Sequence, residues 1–380
     1  LDGLRGKAAD AEGRITLVGL YDYASLQTKK YVARTHNEYQ TPALRGEISG
    51  PFEIARLSSG VHRARGDAAL EREDWAVAIA EYTKAIAVNP RDALAHRGRG
   101  EARLNAKDLA GAWADGSRAL ELEPRDAAAY NLRGDIYYAR KDWSAAAADY
   151  SRAVELEPRR ALFYANRAMV RVEQGEHARA IADADKAIES EPGSPDGYYA
   201  RAVARRHAGE LAAALADCNK AIELKPGDGG FYAERGSLHF DQEDHLAALA
   251  DYAKAIELKP KEPWFYRYRG DVYYQQGRYA VALAEYQKAI QLDPTTADFY
   301  ARRATAHYQL GQYPAAAADC AKAVALAPID AEAYNARGNI RFWMGEFVPS
   351  IADYTKAIEL APNSATYWFN RGNARRLHGD

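Results

Sequence analysis

The chain is poor in the residue types that carry most covalent and metal chemistry. It has only two cysteines and two methionines in 380 residues, so a disulfide framework is excluded. Its 51 basic and 53 acidic side chains nearly cancel, leaving a formal net charge of −2. Without a block of Lys and Arg, nucleic acid and an anionic membrane surface are not expected partners. No apolar run is long enough to cross a bilayer. Histidines such as His207, His239 and His245 lack acidic or cysteine companions at metal-ligand spacing, so no metal is expected. The many Arg-Gly pairs sit inside helical patterns rather than between a strand and a helix, which excludes a phosphate loop. No catalytic constellation and no cofactor are therefore expected within these residues. The first residue is Leu and the first methionine is Met169, so the sequence is expected to be part of a longer polypeptide or a processing product. The compartment stays open, with the cytoplasm favoured over the periplasm.

What is present is a period. Proline recurs at 34-residue steps: Pro90, Pro124, Pro158, Pro192, Pro226, Pro260, Pro294, Pro328 and Pro362. Five residues before each stands alanine, from Ala85 to Ala357, and twelve before stands Ala or, once, Ser350. Twenty-four before stands Gly or Ala, as at Gly134, Ala168 and Gly270. The two parts of each unit have helical apolar spacing, as in Tyr266, Gly270, Tyr273, Tyr274 and again Leu249, Tyr252, Ala255, Ile256. Gly-Glu, Gly-Arg, Gly-Gln or Lys-Asp separates them. Each unit reads as a helical hairpin whose small residues lie at a close crossing and whose proline stops the second helix. Cys218 and Cys320 fall at second-helix positions three repeats apart and read as small core residues.

This pattern resembles the tetratricopeptide repeat over residues 59–380, as nine full repeats and the first helix of a tenth, Ala365 to His378. The resemblance implies a mainly α fold, a right-handed α-solenoid of helical hairpins whose concave face holds a protein or peptide. It further implies that the second, fifth, ninth and twelfth positions of first helices face that groove. These give Asn131, Asp135, Tyr138, Trp264, Arg267, Asp271, Tyr274, Tyr308, Asn335, Asn339 and Phe342 as partner-binding candidates. Each aromatic could equally pack on an adjacent helix. The sixth positions, Ala64 to Arg302, form no continuous asparagine ladder, which argues against a repeated backbone clamp.

Arginine stands seven residues into every unit, from Arg65 to Arg371, and an acid stands in every second helix, from Glu81 to Asp353. The arginines could form a ladder for an anionic ligand. Their strict co-occurrence with acids favours helix-to-helix pairing, for example Arg167 with Asp149 or Asp183.

Residues 1–58 do not fit the repeat. Asp10 to Arg14 reads as a turn, Thr16 as an N-cap, Leu17 to Val32 as an amphipathic helix and Phe52 to Leu57 as a strand. A calcium loop built on Gly13 would need carboxylates at Ala8 and Gly19, so no metal is expected there. Leu1-Asp-Gly-Leu-Arg-Gly, Gly13-Arg-Ile-Thr-Leu, Leu20-Tyr-Asp-Tyr and Gln40-Thr-Pro-Ala-Leu-Arg-Gly look like the C-terminal end of bacterial caspase-like domains of the metacaspase type. The resemblance implies an α/β remnant of a cysteine peptidase whose catalytic His and Cys lie upstream; no such role falls on His36. Two functions follow as expectations. The chain is the interaction arm of a caspase-like peptidase, recruiting substrate or regulator, with the upstream catalytic fragment as a further partner. Alternatively it is a stand-alone adaptor whose Leu17 to Leu57 pack on the first repeat, shielding Val61 and Leu70 with no sheet of their own.

Overall fold

A computed structural model describes residues 14–16, 53–56 and 59–379. Strand β1 (Arg14–Thr16) pairs antiparallel with β2 (Glu53–Arg56), placing Ile15 opposite Ala55. The expected strand is therefore present, and it has a partner strand. Thr16 is the last residue of β1, and the helix it was expected to cap, over 17–32, lies outside the described residues. So do residues 10–13 of the turn expected over 10–14, and His36; Arg14, the end of that turn, begins β1.

The remaining described chain is helical and packs as two units, residues 1–176 and 177–380. In the first, hairpins are formed by α1 (Ser59–Leu70) with α2 (Trp75–Val88), α3 (Ala93–Asn105) with α4 (Leu109–Leu122), and α5 (Ala127–Ala139) with α6 (Trp143–Leu156), followed by α7 (Ala161–Glu173). The second opens on α8 (His177–Ser190). Hairpins follow: α9 (Pro195–His207) with α10 (Leu211–Leu224), α11 (Gly229–Asp241) with α12 (His245–Leu258), and α13 (Pro263–Gln275) with α14 (Tyr279–Leu292). They continue with α15 (Ala297–Gln309) and α16 (Tyr313–Leu326), α17 (Ala331–Trp343) and α18 (Phe347–Leu360), and end on α19 (Ala365–His378).

Within a hairpin, complementary sizes fill the crossing. Tyr82, Tyr150, Tyr252, Tyr286 and Tyr354 each lie against a glycine of their own first helix, as Tyr150 lies against Gly134. Where the second helix instead carries the smaller Cys218 or Cys320, the first carries the larger Ala202 or Ala304 in place of glycine. The mid-hairpin turn also has two solutions. Gly209, Gly277, Gly311 and Gly345 take left-handed backbone, and the next helix then starts without a side-chain cap. Glu73, Lys107, Lys141 and Glu243 take the same conformation at φ 58–65°. Each is followed by an aspartate whose carboxylate accepts from the helix, as Asp142 does from the Ala145 amide at 3.1 Å.

The arginine of each repeat holds helices together. Arg201 donates from Nε and Nη2 to Asp217 of its own second helix and from Nη1 to Asp185 of the preceding one. Arg133, Arg235, Arg303 and Arg337 grip Asp149, Asp251, Asp319 and Asp353 in the same fork. Pairing, rather than an open ladder, is thus the rule. Of the two acids named for Arg167, Asp149 is held by Arg133; Arg167 reaches back to the Ser151 hydroxyl at 3.2 Å. The guanidinium of each also lies over a tyrosine three residues earlier, 5.5 Å from the Tyr232 centroid for Arg235. Those tyrosines close the boundary between repeats: the Tyr266 and Tyr300 hydroxyls donate to the carbonyls of Pro260 and Pro294.

Candidate ligand-binding face

The expected partner-binding residues fall on first helices, and the structure divides them between the two units. In the first unit Asn131, Asp135 and Tyr138 share one face of α5. Asn131 donates to Asp135 Oδ2 at 3.1 Å, and Tyr150 donates to Asp135 Oδ1 at 2.6 Å. From α7, Asn166 bridges both, donating to Asn131 Oδ1 at 2.9 Å and Asp135 Oδ1 at 3.3 Å. Burial pushes the Asp135 carboxyl up to about 7, against the lowering effect of the Tyr150 hydroxyl. Tyr138 stacks edge-on to Trp143 and donates to Glu173. Burial and that carboxylate raise its phenol to about 12.

In the second unit Trp264, Arg267, Asp271 and Tyr274 share a face of α13. Arg267 sits 3.0 Å from both Asp271 and Asp298, the latter on α15. The Tyr286 hydroxyl holds Asp271 from below at 2.8 Å. Burial raises the Asp271 carboxyl above its ordinary range, against the lowering effect of Arg267 and Arg302. Trp264 meets Phe299 edge-on at 4.8 Å and keeps 38% of its surface exposed. Tyr274 accepts from Gln309 and packs on Tyr279, and Tyr308 packs on Tyr313. On α17, Asn335 and Asn339 are both bridged by Asn370 of α19, and Phe342 packs against Trp343 and Phe347. Asn335 is buried. Asparagine bridges therefore exist at two places, without a continuous ladder.

Two clefts open on this face. One, of about 330 Å³, has Tyr199, Trp264, Phe265 and Tyr268 among its walls; the other, of about 280 Å³, has Arg267, Asp271, Tyr274 and Arg302. They share Arg206, Ser237 and Tyr268, so they run into each other. Arg206, Glu234, Tyr268 and Arg302 were not among the expected site residues. Arg206 grips both oxygens of Glu234 at 3.0 Å and reaches Asp241 at 2.8 Å. The sixth-position run Glu234, Tyr268, Arg302 was the sequence signal, legible once charge rather than asparagine is sought there.

Among the described residues no three His, Cys, Asp or Glu side chains come together as a metal site. No helix there is long and apolar enough to cross a membrane. Cys218 and Cys320 are free and buried, and burial raises both thiols.

Models of the tetratricopeptide repeat match residues 63–122, 166–229 and 331–364, and a model described as TPR repeat matches 134–175, 236–277 and 270–311. No curated protein matches the chain. Among solved structures, a chain of the APC/C hetero-tetramer Cut9–Hcn1 superposes with a TM-score of 0.58 at 15% identity. The match covers 84% of this chain and 76% of that one, and the likeness is one of fold alone.

Proposed function

We propose, from the premise that this chain belongs to the tetratricopeptide repeats over its helical array, that it is a protein-interaction scaffold whose first-helix face receives a partner polypeptide. The supporting observation is the pair of joined clefts on α9, α11, α13 and α15. Apart from Tyr252, which fills the crossing at Gly236, their aromatic and charged walls lie outside the tyrosine–glycine crossings and arginine staples that build the hairpins. Such walls offer rigid aromatic area beside oriented donors, which is what a peptide chain needs. A photo-crosslinking residue in place of Tyr274 should capture a protein partner, whereas the same residue in place of Lys220, half-exposed on α10, should not. Equal labelling from both positions would defeat the proposal.

The finer reading is that this scaffold is the C-terminal arm of a caspase-like cysteine peptidase, with residues 1–58 as the end of the protease domain. Its support is the sequence resemblance over residues 1–57 together with the β1–β2 pair. The matched repeat models begin at residue 63. Native mass spectrometry with denatured intact masses tests it. A second polypeptide of protease-domain size travelling with the chain supports the arm, and a chain travelling alone favours the stand-alone adaptor.

A further inference from the structure

The cleft walls are not electrically uniform, and that selects among partner segments. Glu234 is 8% exposed and fully occupied by Arg206. Asp271 accepts from Tyr286 and pairs with Arg267, and one Asp298 oxygen is taken by Arg267 as well. Arg302 is left with the remaining Asp298 oxygen, at 3.5 Å from Nε and too long for a hydrogen bond. Its side chain is 46% exposed, lines the second cleft, and has no protein partner for either Nη nitrogen among the described residues. The second cleft thus lacks a free carboxylate, with Asp241 held by Arg206, and presents a guanidinium fork; the first carries Glu262 and Lys259 at its wall. Such a fork matches a carboxylate in two parallel hydrogen bonds. Beside it, the first cleft offers Tyr199, Trp264 and Tyr268 to an apolar group.

Resting on the scaffold reading above, we infer that these clefts seat an extended partner segment bearing a large apolar or aromatic side chain, held among Tyr199, Trp264 and Tyr268, and within a few residues of it an Asp or Glu side chain held by Arg302. In the second cleft a basic side chain would meet carboxylates that are already engaged and a guanidinium that repels it. Tyr268 lines both clefts, so the two requirements lie within the reach of one short stretch of strand.

The test is selection of a random peptide display library on the whole chain, followed by binding of the recovered peptides to variants. The expected outcome is recovery of peptides that pair an aromatic or large aliphatic residue with a nearby acid, with affinity that weakens as salt is added. Arg302→Glu should cut that binding at least tenfold and Arg302→Gln severalfold, while Tyr268→Ala should cut it by a comparable factor. Helicity and melting of the Arg302 variants should be unchanged, since the residue is exposed and weakly paired. Recovery of basic or charge-free peptides overturns the inference, as does binding indifferent to both Arg302 variants, or no recovery at all. In those cases crosslinking from position 274 still decides the scaffold proposal separately.

Discussion

The ring of Tyr286 occupies the space a side chain at Gly270 would need: a methyl group there would come within 2.6 Å of its Cε1. Gly270→Ala should therefore destabilise the protein by about 1–3 kcal/mol, the cost of overpacking a filled core. The repeats contain the compensated alternative, because alanine at the same position faces cysteine in the Ala304–Cys320 pair. In a Tyr286→Cys background the added methyl should cost less than half as much. Urea denaturation of the single and double variants measures this, and equal costs in both backgrounds would show that the crossing is not the source.

Asp135 should make stability depend on pH. Its carboxyl is raised to about 7 in the folded chain, against about 3.9 for an unperturbed aspartate. The folded state thus holds the proton more tightly. The resulting stability is fully present below pH 4 and is lost as pH rises through 7. Asn339 has the neutral form of the same arrangement, accepting from Tyr354 and Asn370. Asp135→Asn should accordingly stabilise by on the order of 2 kcal/mol at pH 8 and have almost no effect at pH 4. Denaturant midpoints at the two pH values provide the readout; an effect of the same size at both would contradict the assignment.

At the mid-hairpin turn, Lys141 takes left-handed backbone at φ 60° while Asp142 caps the next helix. Lys141→Gly would join both turn solutions in one hairpin. It should raise stability by about 0.5–1 kcal/mol, the relief of the side chain's strain less the added freedom of the unfolded chain. A fall in thermal midpoint would mean that the lysine side chain does something the backbone does not reveal.

Removing the acid from an arginine staple should be costly. Asp217 receives Arg201 in a two-pronged grip and Arg205 as well. Asp217→Ala leaves both guanidinium groups without it and should cost about 1.5–3 kcal/mol. Ser350→Ala, by contrast, should shift stability by less than about 1 kcal/mol. That hydroxyl is buried and donates to the Gly338 carbonyl, but the equivalent positions, such as Ala316, are alanine. Chemical denaturation of the two variants side by side would rank them.

The period and the small residues revealed the hairpins because a 34-residue repeat states each spatial requirement many times over. Ala85, Gly134 and Ala255 could be read as crossing residues without coordinates. The arginine–acid pairing was legible for the same reason, but its geometry was not. That Arg167 reaches Ser151 and leaves Asp149 to Arg133 depends on which neighbouring helix each prong meets. The candidate site was only half legible. Trp264, Arg267, Asp271 and Tyr274 were named from their place on the helix. Arg206 and Glu234 were not, because their pairing joins different repeats, and one sequence shows no register between them. Residues 1–58 gave least, since nothing there is stated more than once.

The arginine staple reaches 16 residues forward to its own acid and 16 backward to the preceding second helix. Every clasp is defined relative to the repeat and none refers to an absolute place in the chain. A gene segment encoding one whole 34-residue unit could be duplicated or lost with all remaining clasps re-formed. A single-residue insertion inside a helix would throw an arginine out of step with its partners on either side. The same chemistry that locks neighbouring repeats together leaves their number free to change, provided that whole units are gained or lost and the spacing inside each is kept.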